Sequence, residues 1–263
     1  MRPIVCSTQD ESGPSSLLAG VGDVVCQILG VKNLRHRSAL FELGAREHIP
    51  GGAIAAVYDQ IASNWRVCRL ARPALRSVEN WRWRAPQLGI SARNASPEVV
   101  LERALVCACE RRGRDDWANQ VPVASGIAGA RRERRRAIDL VHQAGPGHFE
   151  LIELKIASDT PLYAAIEIVG YVCIWLLARA EGAVVSPLLA ADRIAAKVLA
   201  PSAYYSRYRL GALQRLLNQE LAALGETQGA KLSFGFEAFP GDFLATPSSD
   251  EGVLALFEQR QPI

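Results

Sequence analysis

Between Pro161 and Arg179 nearly every position is apolar, whichever face of a helix it would occupy, and this segment decides most of what the chain can become. A helix with no polar face has no side to offer water, so it must be covered all round. Pro161, a good first-turn residue, marks its start. The longest apolar stretch, Ala164 to Ala178, contains Glu167 and falls short of the roughly 20 residues that a membrane span needs. The segment therefore reads as the buried helix of a soluble core. A chain of 263 residues with 49% hydrophobic content can build such a core without staples.

The neighbours of this helix fix the fold class. Upstream, Ser96 and Pro97 have the chemistry of an N-cap and first helical residue, and Val99, Val100, Ala104, Leu105 and Ala108 recur at helical spacing to a helix end near Gly113. Strand-like runs follow at Ala118–Ala124, Arg134–His142 and His148–Ile156, the last two separated by the turn Ala144-Gly145-Pro146-Gly147. Downstream come a strand at Ile194–Ala200, an amphipathic helix at Tyr204–Leu224 and a strand at Lys231–Phe239. This order predicts an α/β protein with a central mixed β-sheet flanked by helices on both faces. The expected division is a mixed or mostly helical region over 1–95, the α/β core over 96–240 and a C-terminal tail over 241–263. The six cysteines form no CxxC pair and no zinc-ligand spacing with histidine, so they read as scattered reduced thiols. The N-terminus lacks the charged-then-apolar order of a signal peptide, and a cytoplasmic location is expected.

Chemistry concentrates in Arg136-Ala-Ile-Asp-Leu-Val and, after the turn, Phe149-Glu-Leu-Ile-Glu-Leu-Lys155. Alternation along a strand puts Glu153 and Lys155 on one face. A hairpin centred on Pro146 sets Asp139 opposite Glu153, with Cβ atoms roughly 4.5 to 5.5 Å apart. Two carboxylates so placed repel each other unless something positive lies between them, and a hard divalent cation would remove the conflict. Lys155 would then orient or deprotonate a metal-bound water, or stabilise charge on an attacked phosphate. Three such residues could also form a charged ladder on a solvated face. Against that stand the apolar neighbours Ile138, Leu140, Val141, Leu151, Ile152, Leu154 and Ile156, since charges inside apolar strands need a partner or a purpose.

From Ser96 to about Phe239 the chain resembles the PD-(D/E)xK nuclease superfamily, with its restriction-endonuclease-like core. Glu102-Arg-Ala-Leu, Glu110-Arg-Arg-Gly, Pro122-Val-Ala-Ser-Gly and Ala137-Ile-Asp are similar to the layout of its Holliday-junction resolvases. The resemblance implies catalytic roles for Glu102, Asp139, Glu153 and Lys155, and Mg²⁺ or Mn²⁺ held by Glu102, Asp139, Glu153 and the carbonyl of Leu154. Glu98, one turn earlier, competes for the role of Glu102. The family's signature proline is replaced by Ile138. Where many exonuclease-like members carry Gln-x-x-x-Tyr, this chain has Glu167-Ile-Val-Gly-Tyr171, which implies a nucleic-acid contact for Tyr171, with a place in the core as the alternative because glutamate is poorer than glutamine at approaching a phosphate.

Arginine clusters accompany the motif. Arg131, Arg132, Arg134, Arg135 and Arg136 lead into the hairpin, and arginine's planar fork suits phosphate. The alternative is a solvated loop. Trp81-Arg-Trp-Arg84 could stack on bases or pack the N-terminal region against the core, and packing is the favoured expectation. Lysine occurs only at 32, 155, 197 and 231, which sets Lys155 apart. No Gly-rich P-loop is present. The expected activity is a metal-dependent nuclease acting on DNA, with no membrane partner and a homodimer left open; a catalytically inactive nuclease-like binding or scaffold protein is the alternative.

Overall fold

The computed structural model describes residues 16–71, 79–84, 86–89, 96–127, 136–182, 186–241, 243 and 249–263. Three helices come first, α1 (Val21–Leu29), α2 (Arg37–Gly44) and α3 (Ala53–Ala71). The α/β core follows as α4 (Pro97–Arg111), β1 (Trp117–Pro122), β2 (Ala137–Gly145), β3 (His148–Leu154), α5 (Pro161–Glu181), β4 (Arg193–Ala200), α6 (Ser202–Tyr205), α7 (Gly211–Gln228) and β5 (Lys231–Ala238). The segment after 240, expected as a tail, contributes α8 (Asp250–Glu258) and β6 (Gln261–Pro262).

The sheet has six strands in sequence order. β1, β2 and β3 are antiparallel neighbours, β4 runs parallel to β3 and β5 parallel to β4, and β6 closes antiparallel on β5. Each parallel step needs a long crossover. The first is α5; the second is α6 with α7. The single helix expected over 204–224 is thus two, because the chain breaks where Tyr205 turns into the core and donates its hydroxyl to the Val198 carbonyl at 2.8 Å. The β2–β3 hairpin turns at Pro146-Gly147, where Gly147 takes a φ of 64° that favours glycine.

The alternation of β3 feeds two cores. Phe149 and Leu151 join a large cluster with α5, α7 and the N-terminal helices, while Ile152 and Leu154 join a smaller one with α4, α8 and Leu140. The N-terminal helices belong to the large cluster through Val25, Ile54, Val57 and Ile61. Glu220 of α7 also accepts the Ile54 amide at 2.9 Å, which caps the start of α3. Trp81 is fully buried and Trp83 meets Phe149 edge-on at 5.0 Å, so both pack, as expected. Among the described residues only α5 is long and apolar enough to cross a membrane, and 83% of its most apolar stretch is buried inside the protein.

The far edge of the sheet is covered. The outward amides of Phe234 and Phe236 on β5 donate to Asn218 Oδ1 and Gln214 Oε1 of α7, both at 2.9 Å. Ile263 N donates to the Phe236 carbonyl, and Arg260 anchors this end by pairing with Glu237 at 2.8 Å and with Glu150.

Candidate active site

The hairpin register runs Val141↔Leu151 and Leu140↔Ile152, and Asp139 and Glu153 are the next residues along the two strands. At that point β3 ends. The Leu154 amide donates to Asp139 Oδ2 at 3.0 Å and the Lys155 amide donates to the Leu199 carbonyl of β4 at 2.9 Å. These bonds hold the backbone between Glu153 and Lys155. The two residues are 5% and 8% exposed, and Lys155 Nζ lies 2.7 Å from Glu153 Oε1. The site thus lies at the carboxyl end of a strand in a parallel pair, where open α/β sheets place their ligands.

Two helices complete the group. From α4, Glu102 is almost wholly buried and accepts Gln120 Nε2 at 2.8 Å on Oε2. The same amide reaches Asp139 Oδ1 at 3.5 Å, so Gln120 bridges the two carboxylates. Arg103 Nη1 lies 2.6 Å from Glu102 Oε1 but out of hydrogen-bonding alignment, and neither atom has a hydrogen-bond partner among the described residues. From α5, Glu167 Oε2 stands 4.0 Å from Lys155 Nζ, and Tyr171 donates to Glu167 Oε1 at 3.4 Å. Tyr171 is only 4% exposed, which leaves little surface for a nucleic acid to touch.

Glu98 takes a different place. Its carboxylate accepts Ile156 N at 3.1 Å, Ser158 Oγ at 2.9 Å and Ser96 Oγ at 2.6 Å. Ser96 stands at the expected N-cap, but its hydroxyl goes to Glu98 instead of to a backbone amide. Glu98 therefore clasps the loop that leaves β3, whereas Glu102 faces the carboxylates.

The charges follow this packing. Burial raises the Glu102 carboxyl, and nearby Asp139 adds to it, taking the group to about 8 against the Gln120 hydrogen bond and Arg103. Burial also lifts Asp139 to about 6 against Lys155 and the Leu154 amide. Glu153 is raised well above the ordinary range by burial and then by Asp139. The Lys155 ammonium and the Arg103 guanidinium are two cations among four carboxylates, Glu102, Asp139, Glu153 and Glu167, and cannot neutralise them all. Burial works against the Lys155 ammonium, but Glu153 and Asp139 outweigh it and hold the group charged. For Glu98 the cost of burial is overcome by hydrogen bonds from Ser96, its own backbone, Ile156 and Ser158, which bring it down to about 2.

Among the described residues no three His, Cys, Asp or Glu side chains stand close enough together to hold a metal ion as they are. Gln120 and Lys155 fill the spaces between the acids. Of the arginines expected to meet phosphate, Arg131, Arg132, Arg134 and Arg135 lie outside the described residues, and Arg136 is partly exposed where β2 begins, its carbonyl accepting Val123 N at 3.2 Å.

Sequence reasoning missed Gln120. Its backbone is left-handed at φ 47°, a conformation that costs a non-glycine residue roughly 1–3 kcal/mol and clusters at functional sites. The available signal was a polar residue interrupting Ala118–Ala124; the backbone conformation has no mark in the sequence.

No protein-family model, no characterised protein and no solved structure matches this chain.

Proposed function

We propose that this protein is a cytoplasmic metal-dependent nuclease that hydrolyses phosphodiester bonds of DNA, with Asp139, Glu153, Lys155 and Glu102 at its centre. The observation that carries the reading is the excess of carboxylates over cations where β2 and β3 meet α4, with Glu102 and Glu153 buried and Asp139 half-buried. Asp139, Glu153 and Glu102 are all raised above the ordinary range, and a second source of positive charge would relieve them.

The donors fit Mg²⁺ or Mn²⁺. They are oxygens, which suit hard cations, and Glu102 Oε1 is buried without a hydrogen-bond donor. Asp139, Glu153 and Glu102, with the carbonyl of Leu154, would hold the ion. A bound divalent cation supplies Lewis acidity toward a phosphoryl oxygen and lowers the pKa of water.

The chain's own residues supply the rest. Lys155, held as an ammonium by Glu153 and Asp139, would stabilise negative charge on an attacked phosphate. That charge state favours the electrostatic role over proton abstraction. Gln120 keeps Glu102 and Asp139 aligned, and Glu98 fixes the loop after Lys155. Cleavage of linear, circular, single-stranded and branched DNA, each assayed with Mg²⁺, Mn²⁺ or EDTA, tests the reading; cutting that persists unchanged in EDTA overturns the metal mechanism.

A second reading has one observation in its favour. Gln120 and Lys155 already occupy the gaps between the acids, as they would in a nuclease-like scaffold that binds no metal. Absence of Mn²⁺ binding together with absence of cleavage would select it.

A further inference from the structure

A cavity of about 260 Å³ opens beside the loop that leaves β3, lined by Arg37, Ile156, Asp159, Tyr204, Arg207 and Tyr208. Ile156 directly follows Lys155, so the groove begins where the candidate active site ends. The Tyr204 hydroxyl, 3.4 Å from the Ser158 carbonyl, ties the groove's wall to the loop that Glu98 clasps. The acidic group in the lining is already matched, because Asp159 pairs with Arg35. Arg37 and Arg207 are exposed, and neither forms an ion pair among the described residues. Phe41, 52% exposed, packs on Tyr208 with ring centroids 5.4 Å apart and extends the aromatic surface outward. Next to it Arg207 and Arg209 line a second hollow with Phe41.

Unpaired cations interleaved with accessible aromatic rings form a pattern suited to an unpaired nucleic-acid strand: the guanidinium groups meet the phosphates and the rings stack on bases. Duplex, whose bases are already stacked, has no use for the rings and is held by its phosphates alone. Resting on the nuclease reading above, we infer that this groove receives a single-stranded segment of the DNA, from which the strand continues to the carboxylates at Asp139 and Glu153. The substrate class would then be DNA with an unpaired end, flap or branch.

The test is a binding titration without catalysis. A short fluorescent oligothymidine and a duplex of equal length are titrated in EDTA against the full chain, an Arg37→Gln/Arg207→Gln variant and a Phe41→Ala/Tyr208→Ala variant, with thermal melts to check folding. The arginine variant should bind the single strand about 10-fold more weakly, with the slope of log affinity against log salt reduced by about 0.7 for each lost contact. The aromatic variant should lose a similar factor with little change of slope, and duplex binding should be almost unaffected in both. Equal losses on duplex and single strand would make the groove a general phosphate surface and overturn the inference, as would unchanged single-strand binding or no single-strand binding by the parent protein. Asp139→Asn separates the two readings. If it abolishes cleavage while groove variants bind normally, only the groove inference falls; if the parent protein cuts no DNA with Mg²⁺ or Mn²⁺ while groove variants lose the single strand, only the nuclease reading falls.

Discussion

Lys155, the residue that follows β3, sets its ammonium 2.7 Å from the carboxylate of Glu153, two residues earlier, with both groups buried. Breaking one member of such a pair leaves a buried charge without compensation. Lys155→Met should therefore destabilise the protein by roughly 3 kcal/mol in urea unfolding. Turnover should fall by about 100-fold or more, with Mn²⁺ affinity little changed. A variant that cuts at the parental rate removes Lys155 from the mechanism.

Asp139→Asn separates charge from shape. It removes one of the mutually repelling carboxylates and keeps an acceptor for the Leu154 amide. Cleavage should be abolished and Mn²⁺ binding, followed by calorimetry, weakened. The metal-free protein should melt at the parental temperature or higher. A lower melting temperature in EDTA would mean that the Asp139 charge supports the fold.

Glu102 and Glu98 should give opposite pH responses in metal-free protein. The folded-state pKa of Glu102 is raised from 4.5 to about 8, so its contribution to stability is complete below the lower value and is lost as pH rises through the higher one. Glu102→Gln should remove that loss, so the variant gains roughly 3 to 5 kcal/mol on the parent across this range. Glu98 is lowered from 4.5 to about 2, so its contribution is present above the first value and disappears as pH falls through the second. Chemical unfolding in EDTA at a series of pH values checks both; parallel curves for parent and Glu102→Gln would show that Glu102 is ionised like an ordinary surface glutamate.

The left-handed backbone of Gln120 gives a comparison that activity alone cannot supply. Both Gln120→Ala and Gln120→Gly lose the bridge between Glu102 and Asp139 and should be impaired in cleavage. Glycine also relieves the backbone, so it should be more stable than alanine by about 1 kcal/mol. Equal stabilities would mean the φ of 47° carries no strain.

The arginines that lead into β2 remain a separate prediction. Replacing Arg131, Arg132, Arg134, Arg135 and Arg136 by glutamine should weaken duplex binding almost equally for all sequences and reduce the salt slope by roughly 0.9 per lost contact. Turnover at saturating DNA should change less than affinity. A salt series that leaves the slope unchanged assigns them to structure.

What could be read from the residues was what local chemistry encodes. Ser96-Pro97 announced α4, the glycines around Pro146 announced the hairpin, and strand alternation gave the register that pairs Leu140 with Ile152, one residue short of Asp139 and Glu153. The all-round apolar segment announced α5. What stayed hidden depended on tertiary contacts. Nothing local showed that Glu98 would be consumed by Ile156 and Ser158 while Glu102 faced inward, since both lie on α4 one turn apart. The break between α6 and α7 arises from a Tyr205 hydrogen bond to a strand in another part of the sequence. The Arg37 and Arg207 groove joins a residue near the start of the chain to one beyond β4, a pairing that no periodicity carries.

The side-chain caps on β5 bear on how copies of this protein can associate. A bare edge strand invites another chain to extend the sheet and is a common route to uncontrolled aggregation. Here Asn218 and Gln214 already hold the outward amides of Phe234 and Phe236, while β6 lies along the end of the same strand. Along β5, therefore, two copies have no open ladder through which to merge into one continuous sheet. A dimer formed on this side of the sheet would have to use side-chain surfaces, and truncation before Arg260 would uncover part of the edge and favour polymeric stacking.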